Sequence, residues 1–259
     1  MLEPPTVRLT RINNACALIE IGEHAILTDP YFINYKMVGI NEPVGLSVTE
    51  LPPITAIIGC HCVIDHWQME SLVDYKYNKD DVRVFVAMSK QARGARRAGF
   101  HRVEVLEWGA IRRLGDLSIR SVQAHKMAGM TVNNYALRLG DNTVFFGGEA
   151  RDIAPLAAYR ARHGEVDVAL LPVNAVHLMG LVKLVMSGQE AVHATKILGA
   201  RALFVIHDAH PDIPGVIRVR SSGDDAEAAA VSNDSPDVVR VPPGVTWAFD
   251  RAPTPRAHA

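Results

Sequence analysis

The stretch TAIIGCHCVIDHW, residues 55–67, is the part of the sequence that decides how the chain folds. It begins with a short apolar run that predicts a buried strand over 55–58. His61, Asp65 and His66 follow directly after this run. Imidazole and carboxylate groups are common ligands of Zn²⁺, Mn²⁺ and Fe²⁺ in proteins. The stretch therefore predicts a strand with candidate metal ligands just past its C-terminal end.

The same arrangement recurs at three other places in the chain. Each time, a predicted strand is followed within three residues by a histidine or an acid. The three pairs are 117–123 with His125, 143–146 with Glu149, and 202–206 with His207. The chain has only 11 histidines, so four such placements favour a shared site. If these strand ends meet at one sheet edge, they form a cluster of imidazoles and carboxylates that suits a divalent metal.

Elsewhere, apolar runs alternate with turn residues and predict a mixed α/β chain. An antiparallel meander is predicted over 7–12, 16–21 and 25–28. Further strands are predicted over 82–87, 103–106, 111–114, 135–139, 166–171, 238–241 and 245–249. Helices are predicted over 68–77, 89–98, 153–162 and 188–198. The last of these has the clearest ends, since Ser187 and Glu190 match a capping box and Gly199 is a typical stop.

Two less regular segments stand out. Residues 31–53 predict a long connection of the kind that often binds ligands, and the polar residues 221–237 predict a surface excursion. No linker separates the halves of the chain, and strands with interspersed helices occur in both. We therefore expect one layered α/β domain over 1–250 and a C-terminal tail over 251–259.

Composition narrows the class of protein. Hydrophobic residues make up 48% and charged residues 21% of the 259 residues, which allows a sizeable core. The formal net charge of −1 argues against a nucleic-acid partner, and we expect a small-molecule substrate instead.

The sequence shows neither a secretory signal nor an apolar run that would span a bilayer, so no membrane partner is expected. Three cysteines without framework spacing favour a reducing cytoplasm, and the sequence leaves a homo-oligomer open.

The run His61-Cys62-Val63-Ile64-Asp65-His66 resembles the His-x-His-x-Asp-His signature of the metallo-β-lactamase superfamily, with Val63 in place of the second histidine. Other segments are similar to the opening strands of that superfamily, to its Gly-Asp segment, and to its closing helix, strand and histidine. They are ACALIEIGEHAILTDP (15–30), FFGGEA (145–150), VDVALLPVN (166–174) and MSGQEAVHATKILGARALFVIHDAH (186–210). The resemblance spans 7–210 and is nearest to the branch with L-ascorbate-6-phosphate lactonase and N-acylphosphatidylethanolamine phospholipase D. It implies a four-layer αββα sandwich.

The resemblance also implies two metal sites, and the first is incomplete in this sequence. That site uses three histidines in the superfamily. Here it keeps His61 and His125, while the third position is Val63, which has no donor atom. The first site is therefore reduced to two imidazoles unless another group contributes a ligand.

The second implied site is intact. It keeps Asp65, His66 and His207, and Glu149 stands at the bridging position where aspartate is usual. Three protein ligands are enough for a catalytic metal with an open coordination position. We therefore expect one divalent cation per chain, Zn²⁺ in the first instance, with Mn²⁺ and Fe²⁺ as alternatives.

Three functions are compatible with this ligand set. In the first, the metal activates a water molecule that attacks an ester, lactone or phosphoester bond, and Asp65 is a catalytic base if it is not a ligand. In the second, an Fe²⁺ ion supports oxygen-dependent chemistry. In the third, the site has lost its metal and the protein acts by binding or regulation. The metal-dependent hydrolase is the interpretation we carry forward.

Overall fold

The computed structural model describes residues 6–34, 40, 42–127, 129–232 and 234–250. The predicted tail over 251–259 lies outside the described residues, and so do 35–39 and 41 of the predicted long connection. The strands are β1 (Val7–Asn13), β2 (Cys16–Ile21), β3 (His24–Thr28), β4 (Ala56–Gly59), β5 (Arg83–Val86), β6 (Val103–Val105), β7 (Ile111–Leu114), β8 (Leu117–Met127), β9 (Met130–Leu139), β10 (Asn142–Phe146), β11 (Val168–Pro172), β12 (His177–Leu178), β13 (Val182–Lys183), β14 (Ala202–Ile206), β15 (Ile217–Arg218), β16 (Asp237–Val239) and β17 (Thr246–Phe249). The helices are α1 (Ser89–Arg97), α2 (Ala154–His163), α3 (Gly188–Leu198) and α4 (Gly223–Ala229).

The first sheet has the strand order β17-β1-β2-β3-β4-β5-β6. Strands β1, β2 and β3 form the antiparallel meander that the sequence predicts. Asn14, at a φ of 48°, makes the first tight turn, and Gly22, at a φ of 57°, makes the second. Strands β4, β5 and β6 then continue the sheet in parallel, so that β3 and β4 point their C-terminal ends at the same edge.

The second sheet has the order β16-β14-β11-β10-β9-β8-β7. Strands β7 to β10 are antiparallel neighbours, whereas β10, β11, β14 and β16 run parallel to one another. The parallel strands end at a common edge, where residues that follow β10 and β14 meet. A third, small sheet of β13, β12 and β15 lies between β11 and α4 in the chain.

Both faces of each large sheet are buried, which explains the continuous apolar runs. In β2, Ala17, Ile19 and Ile21 belong to the apolar cluster between the two sheets, whereas Cys16 and Leu18 belong to the cluster on the outer face. Helix α1 covers the outer face of the first sheet, and α2 and α3 cover the outer face of the second. The chain therefore folds as the four-layer αββα sandwich of the metallo-β-lactamase fold.

One prediction about local structure is wrong, and one surface segment contains a helix that the sequence analysis did not name. The helix predicted over 68–77 is a single 3₁₀ turn, Met69–Leu72, and beyond it the hydroxyl of Tyr75 accepts a hydrogen bond from the Ile54 amide. The polar segment 221–237 contains a helix, α4. Its N-terminus is capped by Ser222, and Ala226 is buried against the start of α3.

One strand also runs further than the sequence predicts. Strand β8 does not end at residue 123 but runs to Met127 through a bulge between Gln123 and Lys126, so His125 lies inside the strand. The two last strands join different sheets, since β16 pairs with β14 and β17 pairs with β1. Within the described residues, no helix combines the length and apolar character needed to cross a bilayer.

Candidate metal centre

Three strand ends at one edge of the sandwich deliver polar side chains to a common point. The loop after β4 carries His61, Asp65 and His66, the turn after β10 carries Glu149, and His207 follows β14 directly. Gly147 and Gly148 precede Glu149, and a Cβ atom at Gly148 would lie 2.7 Å from an oxygen of Asp29. Only glycine allows the chain to approach the site so closely there.

The side chains form a tight, buried cluster. Nε2 of His66 lies 3.1 Å from Nε2 of His207 and 3.1 Å from Oε2 of Glu149. The same glutamate oxygen lies 3.5 Å from Nε2 of His207 and 3.6 Å from Nε2 of His61. Oδ2 of Asp65 is 3.6 Å from Nε2 of His66. Two groups of three result, His61 with His66 and Glu149, and Asp65 with His66 and His207, each with its ligand atoms within 4.8 Å of one another.

A second layer of residues orients the imidazoles. Oδ2 of Asp29 lies 2.8 Å from Nδ1 of His66, and its other oxygen accepts a hydrogen bond from the Cys60 amide at 2.7 Å. Oδ1 of Asn174 lies 3.2 Å from Nδ1 of His207. Both contacts leave Nε2 of the histidine pointing into the cluster, which is the arrangement found around metal-binding histidines.

His210 is a member of this neighbourhood that sequence analysis missed. Its Nε2 lies 3.2 Å from Oδ2 of Asp65, its ring packs 4.8 Å from the ring of His207, and its side chain is 7% exposed. The sequence feature that could have pointed to His210 is its position three residues after His207. That spacing places two side chains near each other when the chain turns sharply, and His207 has a φ of 57°.

The imidazoles and carboxylates of the cluster shift one another's pKa values. Burial lowers the pKa of His66, but Asp65, Asp29 and Glu149 outweigh burial and raise the pKa well above its usual range. Burial likewise raises the pKa of Glu149 and Asp65, but the neighbouring imidazoles outweigh it and hold both values well below normal. Burial, together with His210, lowers the pKa of His207 to about 3. These opposite shifts of the imidazole and carboxylate pKa values follow from the close packing of the two kinds of group in the cluster.

The donor set fits a divalent cation. Nε2 of His61 and Oε2 of Glu149 are buried and make no hydrogen bond within the described part of the chain. Buried polar atoms without partners are rare in folded proteins and call for an explanation. Both atoms belong to the group of three that His61, His66 and Glu149 form, so a cation held by that group would satisfy them. Three imidazoles and two carboxylates are ligands that suit Zn²⁺, Mn²⁺ or Fe²⁺.

His125 stands apart from both groups of potential ligands. It is 5% exposed, and neither ring nitrogen has a hydrogen-bond partner among the described residues. Its pKa is lowered, first by burial and then by Arg151. The side chain lines a cavity of about 770 Å³, together with residues such as Trp108 and Lys183. The structure thus places His125 on the wall of a cleft beside the cluster.

The comparisons with known proteins agree with this architecture. The sequence matches no curated protein significantly. The family model described as a beta-lactamase superfamily domain matches residues 24–207. The chain belongs to this superfamily. Its matched span begins at β3 and ends at His207, and so includes every residue of the cluster except His210.

Solved structures with low sequence identity share the superfamily fold with this chain. A protein of Veillonella parvula described as a possible metal-dependent hydrolase matches with a TM-score of 0.76 and 15% identity, over 93% of this chain and 99% of that one. An isothiocyanate hydrolase from Delia radicum gut bacteria matches with a TM-score of 0.74 and 18% identity, over 94% of this chain and 99% of that one. CmlA, a diiron β-hydroxylase from Streptomyces venezuelae, matches with a TM-score of 0.72 and 16% identity, over 97% of this chain and 55% of that one. The narrower resemblance to the ascorbate-phosphate lactonase branch stays a prediction.

Val63 occupies a position that holds the motif in shape although it offers no ligand. Its carbonyl oxygen accepts hydrogen bonds from the amides of His66 and Trp67, each at 3.0 Å, and its amide donates to Nδ1 of His61 at 3.2 Å. The backbone therefore still presents His61 and His66 to the cluster. Neither Cys60 nor Cys62 joins the potential ligands, and burial raises the pKa of the Cys60 thiol well above its normal range.

Proposed function

We propose that this superfamily member is a metal-dependent hydrolase that holds one divalent cation, Zn²⁺ in the first instance. The proposed ligands are Asp65, His66, His207 and Glu149. A fifth possible ligand is His61, whose Nε2 lies 3.6 Å from Oε2 of Glu149. The observation that carries the proposal is the convergence of these buried side chains, with the imidazoles of His66 and His207 oriented from behind by Asp29 and Asn174. Such pre-orientation is typical of metal sites and costly to maintain without one.

A bound cation would supply Lewis acidity and lower the pKa of a water molecule toward neutrality, which suits hydrolysis of an ester, lactone or phosphoester bond. The protein residues have defined parts in this chemistry. Asp29 fixes the ring of His66, and Asn174 fixes the ring of His207. His210 holds the Asp65 carboxylate, which stays ionised and is the proton acceptor if it is not a ligand.

The cleft beside His125 is the proposed position of the small-molecule substrate. Its walls carry the Arg151–Asp152 and Lys183–Glu190 ion pairs and the indole of Trp108. Both nitrogens of the His125 imidazole are buried and have no hydrogen-bond partner among the described residues, so a substrate group that displaces the covering atoms would satisfy them. In this proposal His125 contacts the substrate, whereas the superfamily resemblance implies that it is a ligand of the first metal site.

Oxygen-dependent iron chemistry is the second candidate function. A specific observation favours it: the cluster combines histidines with a glutamate rather than an aspartate at the bridging position, and mixed histidine and carboxylate sets bind Fe²⁺. The fold is also shared with a diiron β-hydroxylase. Iron as the metal found in the purified protein would favour this candidate over hydrolysis.

Elemental analysis of the protein purified without added metal or chelator tests the proposal. We expect about one equivalent of zinc or manganese, and we expect His66→Ala to lose both the metal and hydrolysis of model esters or phosphoesters. Asp65→Asn separates the two roles of that carboxylate, since the metal is retained only if Asp65 is the base. A fully metallated and active His66→Ala protein would refute the proposed site. A wild-type protein that stays metal-free after reconstitution would instead favour a binding or regulatory role.

A further inference from the structure

The strand register of the second sheet places three arginines on one face. They lie away from the candidate metal ligands His61, Asp65, His66, Glu149 and His207, which we call the metal cluster. Ser118 lies opposite Arg138 on β9 and opposite Arg113 on β7. Two residues further along β8, Arg120 lies opposite Ala136 and Ile111. Residues two apart in a strand share a face, and opposite residues are about 5 Å apart at Cβ. Arg113, Arg120 and Arg138 are therefore neighbours on the helix-covered side of the sheet.

These arginines line a cavity of about 680 Å³, which we call the arginine cavity. Tyr159 and His163, from the C-terminal half of α2, form the wall opposite the sheet. The Tyr159 ring packs between those of Phe145 and His163, at centroid distances of 5.4 Å and 5.1 Å, so the wall is rigid and aromatic. A volume of this size is typical of sites for small organic ligands.

Two arginines of the arginine cavity, Arg113 and Arg120, have no acidic partner among the described residues. Within the part of the chain that the structure describes, no carboxylate forms an ion pair with Arg113 or Arg120. The one acid on the rim, Asp116, is 78% exposed and pairs with His24 at 2.8 Å. Arg112 provides the contrast, since it faces the other side of the sheet and pairs there with Glu104.

Like charges held side by side on a sheet destabilise it. Two of the guanidinium groups are nevertheless anchored in place by backbone carbonyls: Nε of Arg138 donates to Gly140 at 3.1 Å, and a terminal nitrogen of Arg120 donates to Gly109 at 3.3 Å. Their other guanidinium nitrogens make no hydrogen bond with the described residues and are available to a ligand. Burial lowers the pKa of His163, and the charges of Arg120 and Arg162 lower it further, as expected in a positive field.

We propose that the arginine cavity binds a small molecule that carries a phosphate group. Guanidinium groups recognise phosphate oxygens through paired hydrogen bonds, and three of them around one cavity match the charge of a phosphate monoester or diphosphate. The apolar side chain of Ile111 and the ring of Tyr159 offer contacts for the organic part of the ligand. Arg120 lies five residues before His125 on β8, roughly 16 Å along the strand, so this site is separate from the metal cluster.

Isothermal titration calorimetry with pyrophosphate tests the proposal. The protein is first freed of metal with a chelator and dialysed, so that a cation at the metal cluster does not capture the probe. We expect saturable binding that weakens as salt increases, because guanidinium and phosphate charges are screened. Arg120→Gln and Arg138→Gln should each weaken binding by about tenfold or more, since each removes charged hydrogen bonds.

Two control variants test whether pyrophosphate binds in the arginine cavity. Arg102→Gln removes an exposed arginine next to the first sheet, outside the cavity, and should leave the affinity unchanged. His207→Ala alters the metal cluster and should also leave it unchanged. The proposal is overturned if pyrophosphate shows no saturable binding, if Arg120→Gln behaves like Arg102→Gln, or if His207→Ala removes the binding. Tighter binding of a short DNA duplex than of pyrophosphate would also overturn it, in favour of a nucleic-acid surface.

Discussion

At the scale of single residues, the metal cluster depends on side chains that do not themselves offer a ligand. Asp29 contacts His66 through one carboxylate oxygen and the Cys60 amide through the other, and it is fully buried. It also has a φ of 35°, which few residues other than glycine adopt. A residue kept in such a conformation at the centre of a site is typical of a functional constraint.

Replacing Asp29 by asparagine should weaken metal binding by about 10- to 100-fold while the fold is retained. Asparagine keeps the shape and the bond to the Cys60 amide but removes the charge that makes His66 a stronger ligand. Competition with a chromophoric zinc chelator measures the affinity. Asp74→Asn, at an exposed carboxylate, serves as the matched control. Equal affinities in the two variants would mean that Asp29 has no part in metal binding.

Val63→His should raise the metal content of the protein from about one equivalent toward two. The backbone at Val63 already holds the signature conformation through its bonds to His61 and His66, so the new imidazole restores the missing ligand type. Elemental analysis after reconstitution with excess zinc provides the measurement. An unchanged content would show that the separation of His125 from the cluster, and not only residue 63, prevents a second metal from binding.

Sequence analysis named the donor residues because each follows an apolar strand, a pattern that is local. The residues that orient them were harder to find. Asn174 and Asp29 contact histidines 33 and 37 positions away, and His210 contacts Asp65 across 145 positions. No periodicity or spacing connects such distant pairs. Strand ends therefore predicted the donors, whereas tertiary packing alone decides which polar neighbours support them.

At the scale of elements, boundaries were predictable where the backbone's own hydrogen-bonding needs decide them. Helix α3 has the predicted bounds because Ser187 caps its first amides and Gly199 ends it in a left-handed conformation, with a φ of 69°. The 3₁₀ turn at Met69–Leu72 was missed, and the segment after it is held by a distant contact, from the Ile54 amide to the Tyr75 hydroxyl. Short elements whose ends are fixed by distant contacts leave little trace in local sequence.

The hairpin of β12 and β13 has an apolar tip and a base that lies near the metal cluster. Its tip residues Met179 and Leu181 are 69% and 84% exposed. Its base is close to the cluster, since Asn174, which contacts His207, bridges to Ser187 at the start of α3. Lys183 of β13 lines the same cleft as His125. Exposed apolar groups at a cleft often contact ligands.

Leu181→Ser should raise the KM for p-nitrophenyl esters with apolar acyl groups and leave the melting temperature unchanged. The reason is that the side chain is exposed, so its loss removes substrate contacts but little packing. Val231→Ser is the matched control because Val231 is also 84% exposed and follows α4, away from the hairpin. Parallel changes in KM for both variants would exclude a specific role of the hairpin.

At the scale of the whole molecule, the metal cluster joins the two sheets. His61, Asp65 and His66 follow a strand of the first sheet, whereas Glu149 and His207 follow strands of the second. A cation held by both sets would bind only the folded sandwich. Binding restricted to the folded state stabilises it, by about 2.7 kcal/mol when the free metal exceeds the Kd 100-fold.

Removal of the metal with a chelator should therefore lower the melting temperature by several degrees, and added Zn²⁺ should restore it. For a chain of this length, about 1 kcal/mol corresponds to roughly 2–4 °C. Differential scanning calorimetry of the wild type and of His66→Ala measures the effect. The variant, which lacks the shared donor of both ligand groups, should not respond to Zn²⁺. A wild-type protein equally insensitive to Zn²⁺ would contradict the proposed link between the sheets.

The spread of the donors along the chain also has a consequence for biosynthesis. The histidine motif is translated first, Glu149 much later and His207 later still. A nascent polypeptide that has not reached His207 carries the recognisable motif but cannot complete the donor set. A premature stop codon between these positions would give a product that still resembles the superfamily in sequence yet fails to retain the cation. Retention of metal would therefore distinguish finished molecules from truncated ones.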